Sequence, residues 1–275
     1  MPFMSNSFLE KKLGEIRSQV NLGQWSNAYS LAKIFVKENP TDLDARLTLF
    51  ALMMMGGEYD RAKAQLSTYF KLGGQNATPD YLILPELFKK REAVLRGEVL
   101  PRVIGIEEEE IQAWSKAVGA LNDENCNLLE SFNARQEETP SPVCLIEEGV
   151  LGLYSNSDAR FSRYIETVLD GDYTIVAFSE IKELLLPEKP EILIDFIVLP
   201  LSMALKNGET KQGFTFTSYP FSHLCENEKA KLSLESVWNP LFDEVDIGLG
   251  AQIFSKGEQF LSIFQLNKIR FEATA

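Results

Sequence analysis

A period of 34 residues near the start of the chain constrains the fold more than any other feature. When residues 9–42 are aligned with residues 43–76, residues of the same kind coincide; the pairs are Leu9 with Leu43, Leu13 with Leu47, Ile16 with Phe50, Val20 with Met54, Gly23 with Gly57, Trp25 with Tyr59, Ala28 with Ala62 and Phe35 with Tyr69. This period, with glycine and an aromatic residue at the turn between two helices, is typical of the tetratricopeptide repeat. The sequence therefore predicts two helical hairpins, with Thr41 or Asp42 capping the second.

A third copy of the pattern begins at residue 78 and then departs from it. Arg91 stands where the turn glycine is expected, which predicts a helix that continues to Gly97 and caps the open end of the repeats. Two more helices are predicted between residue 107 and the segment ETPSP at 138–142, which has the composition of a linker. We therefore predict a helical domain over residues 1–138.

After the linker the sequence favours β-structure. Asp170–Gly171 and Asn207–Gly208 each lie between two strand-like runs, and the segment 250–266 has the pattern of a third hairpin. A final strand is predicted at KIRFEA, and a short helix over residues 179–186. These patterns predict an α+β protein whose second domain, residues 139–275, is an antiparallel sheet or partly open barrel.

The charge of the chain excludes two classes of partner. The net charge is −13; residues 1–138 hold 16 basic and 20 acidic residues, and residues 139–275 hold 11 and 20. An acidic surface repels phosphate backbones and anionic lipids, so neither nucleic acid nor a membrane is expected as a partner. Three scattered cysteines, no signal peptide and no apolar run long enough for a bilayer predict a cytoplasmic protein, with export by a route that the sequence does not show as the alternative.

Catalytic, metal and cofactor sites are not indicated by the motifs. The one histidine, His223, has only Cys225 nearby, which is too little for zinc, and no nucleophile motif accompanies it. Gly248 and Gly250 lack the spacing of a phosphate-binding loop and are interpreted as turn or bulge glycines. We expect no catalytic residue and no cofactor, although a pair of carboxylates among 40 acidic residues is left open.

Three further clusters have structural interpretations. The acidic run 107–110 is expected to open a helix, where carboxylates complement the helix dipole. Asp243, Glu244 and Asp246 do not fit a calcium loop and are expected in a solvated loop. The methionines at 53–55 are expected to pack between helices, although a partner groove is the alternative.

The order of these parts resembles one known family. DLDARLTLFALMMMGGEYDRAKAQL (42–66) and SDARFSRYIETVLDGDYTIVAFSEIKEL (157–184) carry the resemblance, together with Tyr81, Pro85, Glu86, Arg91, Val94, Gly97, Trp238 and GLG at 248–250. The chain resembles the ImpE/SciE family, also called TagJ, whose members are accessory proteins of bacterial type VI secretion systems. It departs from the family pattern at Ala177 and at the inserted Ala251.

The resemblance implies a non-enzymatic adaptor that binds the small sheath subunit (TssB) near its N-terminus and is linked to sheath recycling by the ClpV ATPase. By repeat geometry, the concave side of the second repeat would present Asp44, Leu47 and Ala51 to that partner. Two other hypotheses follow from the residues alone. The repeats are compatible with a general peptide-binding co-chaperone or scaffold, and the acidic second half with an enzyme sited in the sheet.

Overall fold

The computed structural model describes residues 6–75, 77–137, 143–146, 151–187, 190, 192–239, 245–256 and 259–272. The helices are α1 (Asn6–Asn21), α2 (Trp25–Glu38), α3 (Leu43–Met55), α4 (Tyr59–Lys71), α5 (Leu84–Leu95), α6 (Glu108–Gly119), α7 (Asn127–Glu137) and α8 (Glu228–Lys231). The strands are β1 (Arg102–Ile104), β2 (Val143–Ile146), β3 (Leu151–Asn156), β4 (Tyr164–Leu169), β5 (Asp172–Ala177), β6 (Ile181–Leu185), β7 (Val198–Leu205), β8 (Thr210–Phe216), β9 (Ser236–Trp238), β10 (Gly248–Gly250), β11 (Ile253–Lys256), β12 (Gln259–Ser262) and β13 (Lys268–Glu272).

The first four helices form two hairpins whose second helices begin 34 residues apart, at Trp25 and Tyr59. Gly23 and Gly57 precede them with the same φ of +75°, a left-handed conformation that favours glycine. The Trp25 indole Nε1 donates to the Leu52 carbonyl at 3.0 Å, which fixes the first hairpin against α3. Asp42 is the N-cap of α3, as predicted, because its carboxylate accepts from the Ala45 amide at 2.8 Å.

The third helical segment also follows its prediction. A short 3-10 turn, Pro79–Ile83, is capped by Thr78 and leads into α5, which ends at Leu95 just before Gly97 at φ +71°. Arg91, the residue at the expected turn position, is 2% exposed and lies inside the protein. Helix α5 continues through Arg91 because the side chain of this residue is buried. A turn at this position would expose the side chain.

The strands form one eleven-stranded sheet in the order β1-β5-β4-β8-β7-β6-β13-β2-β3-β11-β12, and β9 pairs with β10 separately. Every pair in the large sheet is antiparallel except β1 with β5. The hairpins predicted at Asp170–Gly171 and Asn207–Gly208 join β4 to β5 and β7 to β8. Asp170 and Gly171 both have positive φ, as a tight hairpin turn requires.

Two features differ from the prediction or extend it. The helix predicted over residues 179–186 is wrong, because residues 181–185 form strand β6, paired with β7 and β13. The buried residues Ile181 and Leu184 have helical spacing, which concealed the strand. Strand β1, within the range predicted to be helical, joins the sheet beside β5.

The linker predicted at 138–142 lies outside the described residues, so the division into 1–138 and 139–275 stays a prediction. The α+β class is confirmed.

Two apolar cores lie on the two faces of the sheet. Alternate residues of β4 point to opposite faces, so Tyr164 and Val168 pack with the helices while Ile165 and Leu169 pack in the second core. The first core extends from Ile16 in α1 to Ile247 and includes the methionines 53–55, which are buried as expected. In the described parts of the chain, no helix is long and apolar enough to cross a membrane.

Candidate partner-binding groove

A groove of about 530 Å³ opens between the first two helical hairpins and a segment that enters from the sheet. Helix α1 supplies one wall and helix α3 the second. The third wall consists of residues Pro190, Ile192, Leu193, Ile194 and Phe196. The groove therefore combines residues that are as many as 180 positions apart (16 to 196).

The helical walls follow from the spacing of their residues. Ile16 and Val20 lie one turn apart on α1, and the same face of that helix also places Arg17 at the groove. On α3 the groove is lined by Asp44, Leu47 and Thr48, which share one face for the same reason. Because α1 and α3 are the first helices of consecutive hairpins, these faces adjoin one space.

The third wall is fixed by hydrogen bonds. Within it, the Ile192 amide donates to the Asp195 carboxylate at 3.0 Å, which closes a short 3-10 turn, Leu193–Phe196. The Phe196 carbonyl accepts from the Thr217 hydroxyl at 2.8 Å and from the Ser233 hydroxyl at 3.1 Å. The wall is thus attached to the sheet side of the molecule.

The described residues that line the groove give it apolar walls with one positive and one negative charge. Ile16, Val20 and Ile194 are buried, whereas Ile192 is 44% exposed. Arg17 and Asp44 are both exposed. Within the part of the chain that the structure describes, neither side chain forms an ion pair or a hydrogen bond, so both are open to a partner.

The three residues predicted for partner contact lie in different environments. Asp44 and Leu47 line the groove, as the repeat geometry suggested, and Asp44 is the more exposed of the two. Ala51 is completely buried one turn further along α3 and contributes no surface to the groove. Whether these residues contact a partner stays a prediction. The sequence reasoning missed Arg17, which its position beside Ile16 could have indicated, and the third wall, for which no local signal exists.

A buried ion pair connects the helices to the sheet beneath them. The Arg91 guanidinium binds both oxygens of Glu166, with Nε to Oε1 at 2.7 Å and Nη2 to Oε2 at 2.5 Å. Tyr173 donates its hydroxyl to the same carboxylate at 2.7 Å, and burial together with the Glu166 charge raises the pKa of Tyr173 well above its usual value. The Arg91 cation also lies 4.2 Å from the ring centroid of Phe216. These contacts hold helix α5 against strand β4.

A second buried ion pair, Asp158 with Arg160, lies against the strand that contains Gly248 and Gly250. The Asp158 carboxylate accepts from the Arg160 side chain at 2.5 Å and from the Gly248 amide at 2.8 Å, while the Gly248 carbonyl accepts from Arg160 at 3.0 Å. The Gly250 amide donates to the Ser222 hydroxyl at 2.7 Å, and its φ of +88° favours glycine. Both glycines belong to strand β10, and the next element is strand β11 instead of a helix, so the arrangement differs from a phosphate-binding loop.

His223 lies in a third polar contact, between helices α4 and α5 and the loop that follows β8. Its Nδ1 is 3.5 Å from the Glu92 carboxylate and 3.4 Å from the Tyr59 hydroxyl, which donates to Glu92 at 2.5 Å. Burial lowers the pKa of His223, Lys231 lowers it further, and Glu92 opposes both. The adjoining cavity of about 20 Å³ has room for about one water molecule and no substrate.

The other residues that the sequence analysis considered as site candidates make contacts that stabilise the fold. The acidic run opens helix α6, as predicted, and Glu110 accepts the Tyr164 hydroxyl at 2.6 Å. Cys225 is buried, Asp246 accepts the Ala159 amide through its carbonyl at 2.8 Å, and Asp243 and Glu244 lie outside the described residues. Among the residues that the structure describes, no group of three or more His, Cys, Asp or Glu is placed to hold a metal ion.

Comparison with known proteins confirms the resemblance that the sequence indicated. Residues 153–270 match the family model described as ImpE protein. The type VI secretion system accessory component TagJ of Pseudomonas aeruginosa is 24% identical over 258 residues, which cover 92% of this chain and 89% of TagJ. The crystal structure of protein VPA1032 from Vibrio parahaemolyticus has the same fold, with a TM-score of 0.82 at 21% identity over 94% of this chain and 98% of that one.

Proposed function

We propose that the protein is a non-enzymatic accessory component of a bacterial type VI secretion system, acts in the cytoplasm and binds the small contractile-sheath subunit (TssB-like). The observation that carries the proposal is the similarity to TagJ over 92% of the chain, because TagJ is itself an accessory component of such a system. By holding the sheath subunit, the protein would modulate sheath assembly or its recycling by the ClpV ATPase.

The architecture supports a binding role. We propose that helices α1 to α4 are two tetratricopeptide-like repeats, residues 9–42 and 43–76, within a helical unit that ends at residue 138. Short repeat stacks bind peptides on the faces of their first helices, and the groove lies between such faces here. The unit formed by residues 139–275 would then serve as a support that supplies the third wall of the groove.

Two buried carboxylates, one after strand β3 and one in strand β4, favour a structural role over an enzymatic one. Asp158 and Glu166 are completely buried, and each is held by an arginine in a bidentate contact. Such short bidentate contacts with arginine are typical of a structural ion pair.

The proposal is tested by a pull-down of the purified chain with the cognate small sheath subunit. We expect the intact subunit to bind and a form that lacks its N-terminal segment not to bind. Failure of the intact subunit to bind would overturn the proposal.

A panel of unrelated unfolded proteins in the same assay tests the alternative of a general co-chaperone. Binding confined to the sheath subunit supports the accessory role, because a specific groove discriminates between partners. Equal binding of all clients would favour the co-chaperone instead.

A further inference from the structure

Among the residues that the structure describes, Arg17 and Asp44 on the two helical walls have no ion-pair or hydrogen-bond partner, and these two charges define what can occupy the groove. We infer that the groove binds a partner segment that presents neighbouring apolar side chains between one acidic and one basic residue. The acidic residue would meet Arg17 on α1, and the basic residue would meet Asp44 on α3. The inference rests on the proposed function only in naming the small sheath subunit as the protein that carries this segment.

The volume and lining of the groove select the kind of occupant. A space of about 530 Å³ falls in the range of about 300–1,000 Å³ that is typical of sites for small molecules or a few side chains. Val20, Leu47 and Ile192 come from three different elements and give the groove apolar surface on each wall. Burial of apolar side chains from a partner would remove this surface from water, which supplies the main driving force for association.

The charge pattern narrows the occupant further. The chain carries a net charge of −13, so a basic segment would be attracted to it over a distance. A purely basic segment would nevertheless place a positive charge against Arg17, which is exposed at the groove and has no neutralising partner within the described residues. A segment with one charge of each sign can form ion pairs with Arg17 and Asp44 together. These two pairs also fix the direction of the segment in the groove, because charges at the rim of an interface determine orientation and specificity more than affinity.

Charge reversal at each wall tests this inference in the full-length protein. We expect Arg17→Glu and Asp44→Lys each to weaken binding of the small sheath subunit about tenfold, as measured by titration calorimetry. Lys11→Glu and Glu10→Lys are matched controls, since these residues are exposed on α1, lie outside the groove lining and change the net charge by the same amounts. We expect the controls to bind within about twofold of the wild type, and circular dichroism to show that all four variants are folded.

The outcomes separate the two proposals. If the wild-type chain does not bind the sheath subunit, the proposed function is overturned. If the wild type binds and the two groove variants bind as well as their controls, the inference about the groove is overturned while the proposed function stands. A photo-crosslinking amino acid at Thr48 gives an independent measurement, because the captured peptide can be sequenced by mass spectrometry. We expect apolar residues between an acidic and a basic one, and a captured peptide without them would contradict the inference.

Discussion

Arg91 shows how a single side chain can define the contact between two parts of this protein. It lies on α5, its partner Glu166 lies on β4, and the two are 2% and 0% exposed. Removal of one member of such a pair leaves a buried charge without compensation, which costs more than the intact pair contributes. The sequence identified Arg91 as a departure from the repeat, but its partner follows 75 residues later, too far for any local pattern to indicate.

We predict that Glu166→Gln lowers the free energy of unfolding by about 3–5 kcal/mol. Glutamine keeps the shape of the side chain but leaves the Arg91 cation without an anionic partner. Urea denaturation followed by circular dichroism measures the change. Glu86→Gln is the control, because its ion pair with Lys63 at 3.0 Å is half exposed and contributes about 0–1 kcal/mol. Equal effects of the two substitutions would contradict the assigned role of the buried pair.

We predict that His223 makes the protein less stable as the pH falls. Burial lowers the pKa of His223 in the folded state below the usual value of about 6.5, so the unfolded chain binds more protons in the intervening range. Stability from the neutral imidazole is therefore complete above pH ~6.5 and is lost as the pH falls from there through the lower pKa of the folded state. The Glu92 charge opposes this effect, and Lys231 acts in the same direction as burial.

The measurement compares urea midpoints of the wild type and His223→Asn at about pH 8 and about pH 5.5. We expect the wild type to lose more stability than the variant between the two values. The other titrating groups are the same in both proteins, so they cancel in the difference. Identical losses would show that His223 does not titrate differently on unfolding.

Individual elements were predictable where local chemistry determines them and were misread where pairing determines them. The turns at Asp170–Gly171 and Asn207–Gly208 require positive φ, so the residues themselves indicate a hairpin. The helix break near Gly97 is determined in the same local way. Strand β6 has no such signal. It is a strand because β7 and β13 lie beside it, and its buried residues Ile181 and Leu184 have a spacing that equally suits a helix.

We predict opposite effects of alanine at two glycines. Gly208 is in the left-handed region with φ +90°, and Gly14 lies within helix α1; a Cβ at either position meets no atom within 4 Å. Gly208→Ala should therefore lower stability by about 1–2 kcal/mol through backbone conformation alone. Gly14→Ala should raise it by about 1 kcal/mol, because alanine favours the helix. Thermal unfolding measures both, and a shift of both midpoints in the same direction would contradict the conformational argument.

At the scale of the whole molecule, the sequence predicted the elements that build the groove but not the space they enclose. The repeat alignment placed Asp44 and Leu47 on the surface that borders the groove. The same alignment could not show that the third wall contributes Ile192 and Phe196, since those contacts depend on how the chain returns from the sheet to the helices. From Ile194 onward the residues of this wall were predicted only as part of the strand that leads to the turn at Asn207–Gly208. Long-range docking of this kind has no periodic signature.

The continuity of the first apolar core leads to a prediction about the molecule as a unit. That core includes residues of α1 to α7 and of β4, β5, β7 and β8, and strand β1 pairs with β5 beside it. Elements that share a core usually unfold together. We therefore expect one cooperative transition, in which a tryptophan of the helical hairpins and a tryptophan near the sheet report the same urea midpoint.

Two variants make this measurement possible, one that keeps only Trp25 in α2 and one that keeps only Trp238 in β9, with phenylalanine at the other tryptophan positions. Each midpoint from fluorescence is compared with the midpoint of the same variant from circular dichroism, which corrects for any stability that the substitutions themselves remove. We expect agreement in both variants, because loss of the Arg91–Glu166 contact in one half exposes the buried partner in the other. A Trp25 transition that separates from the Trp238 transition would contradict a single unit and would support the division predicted between residues 138 and 139.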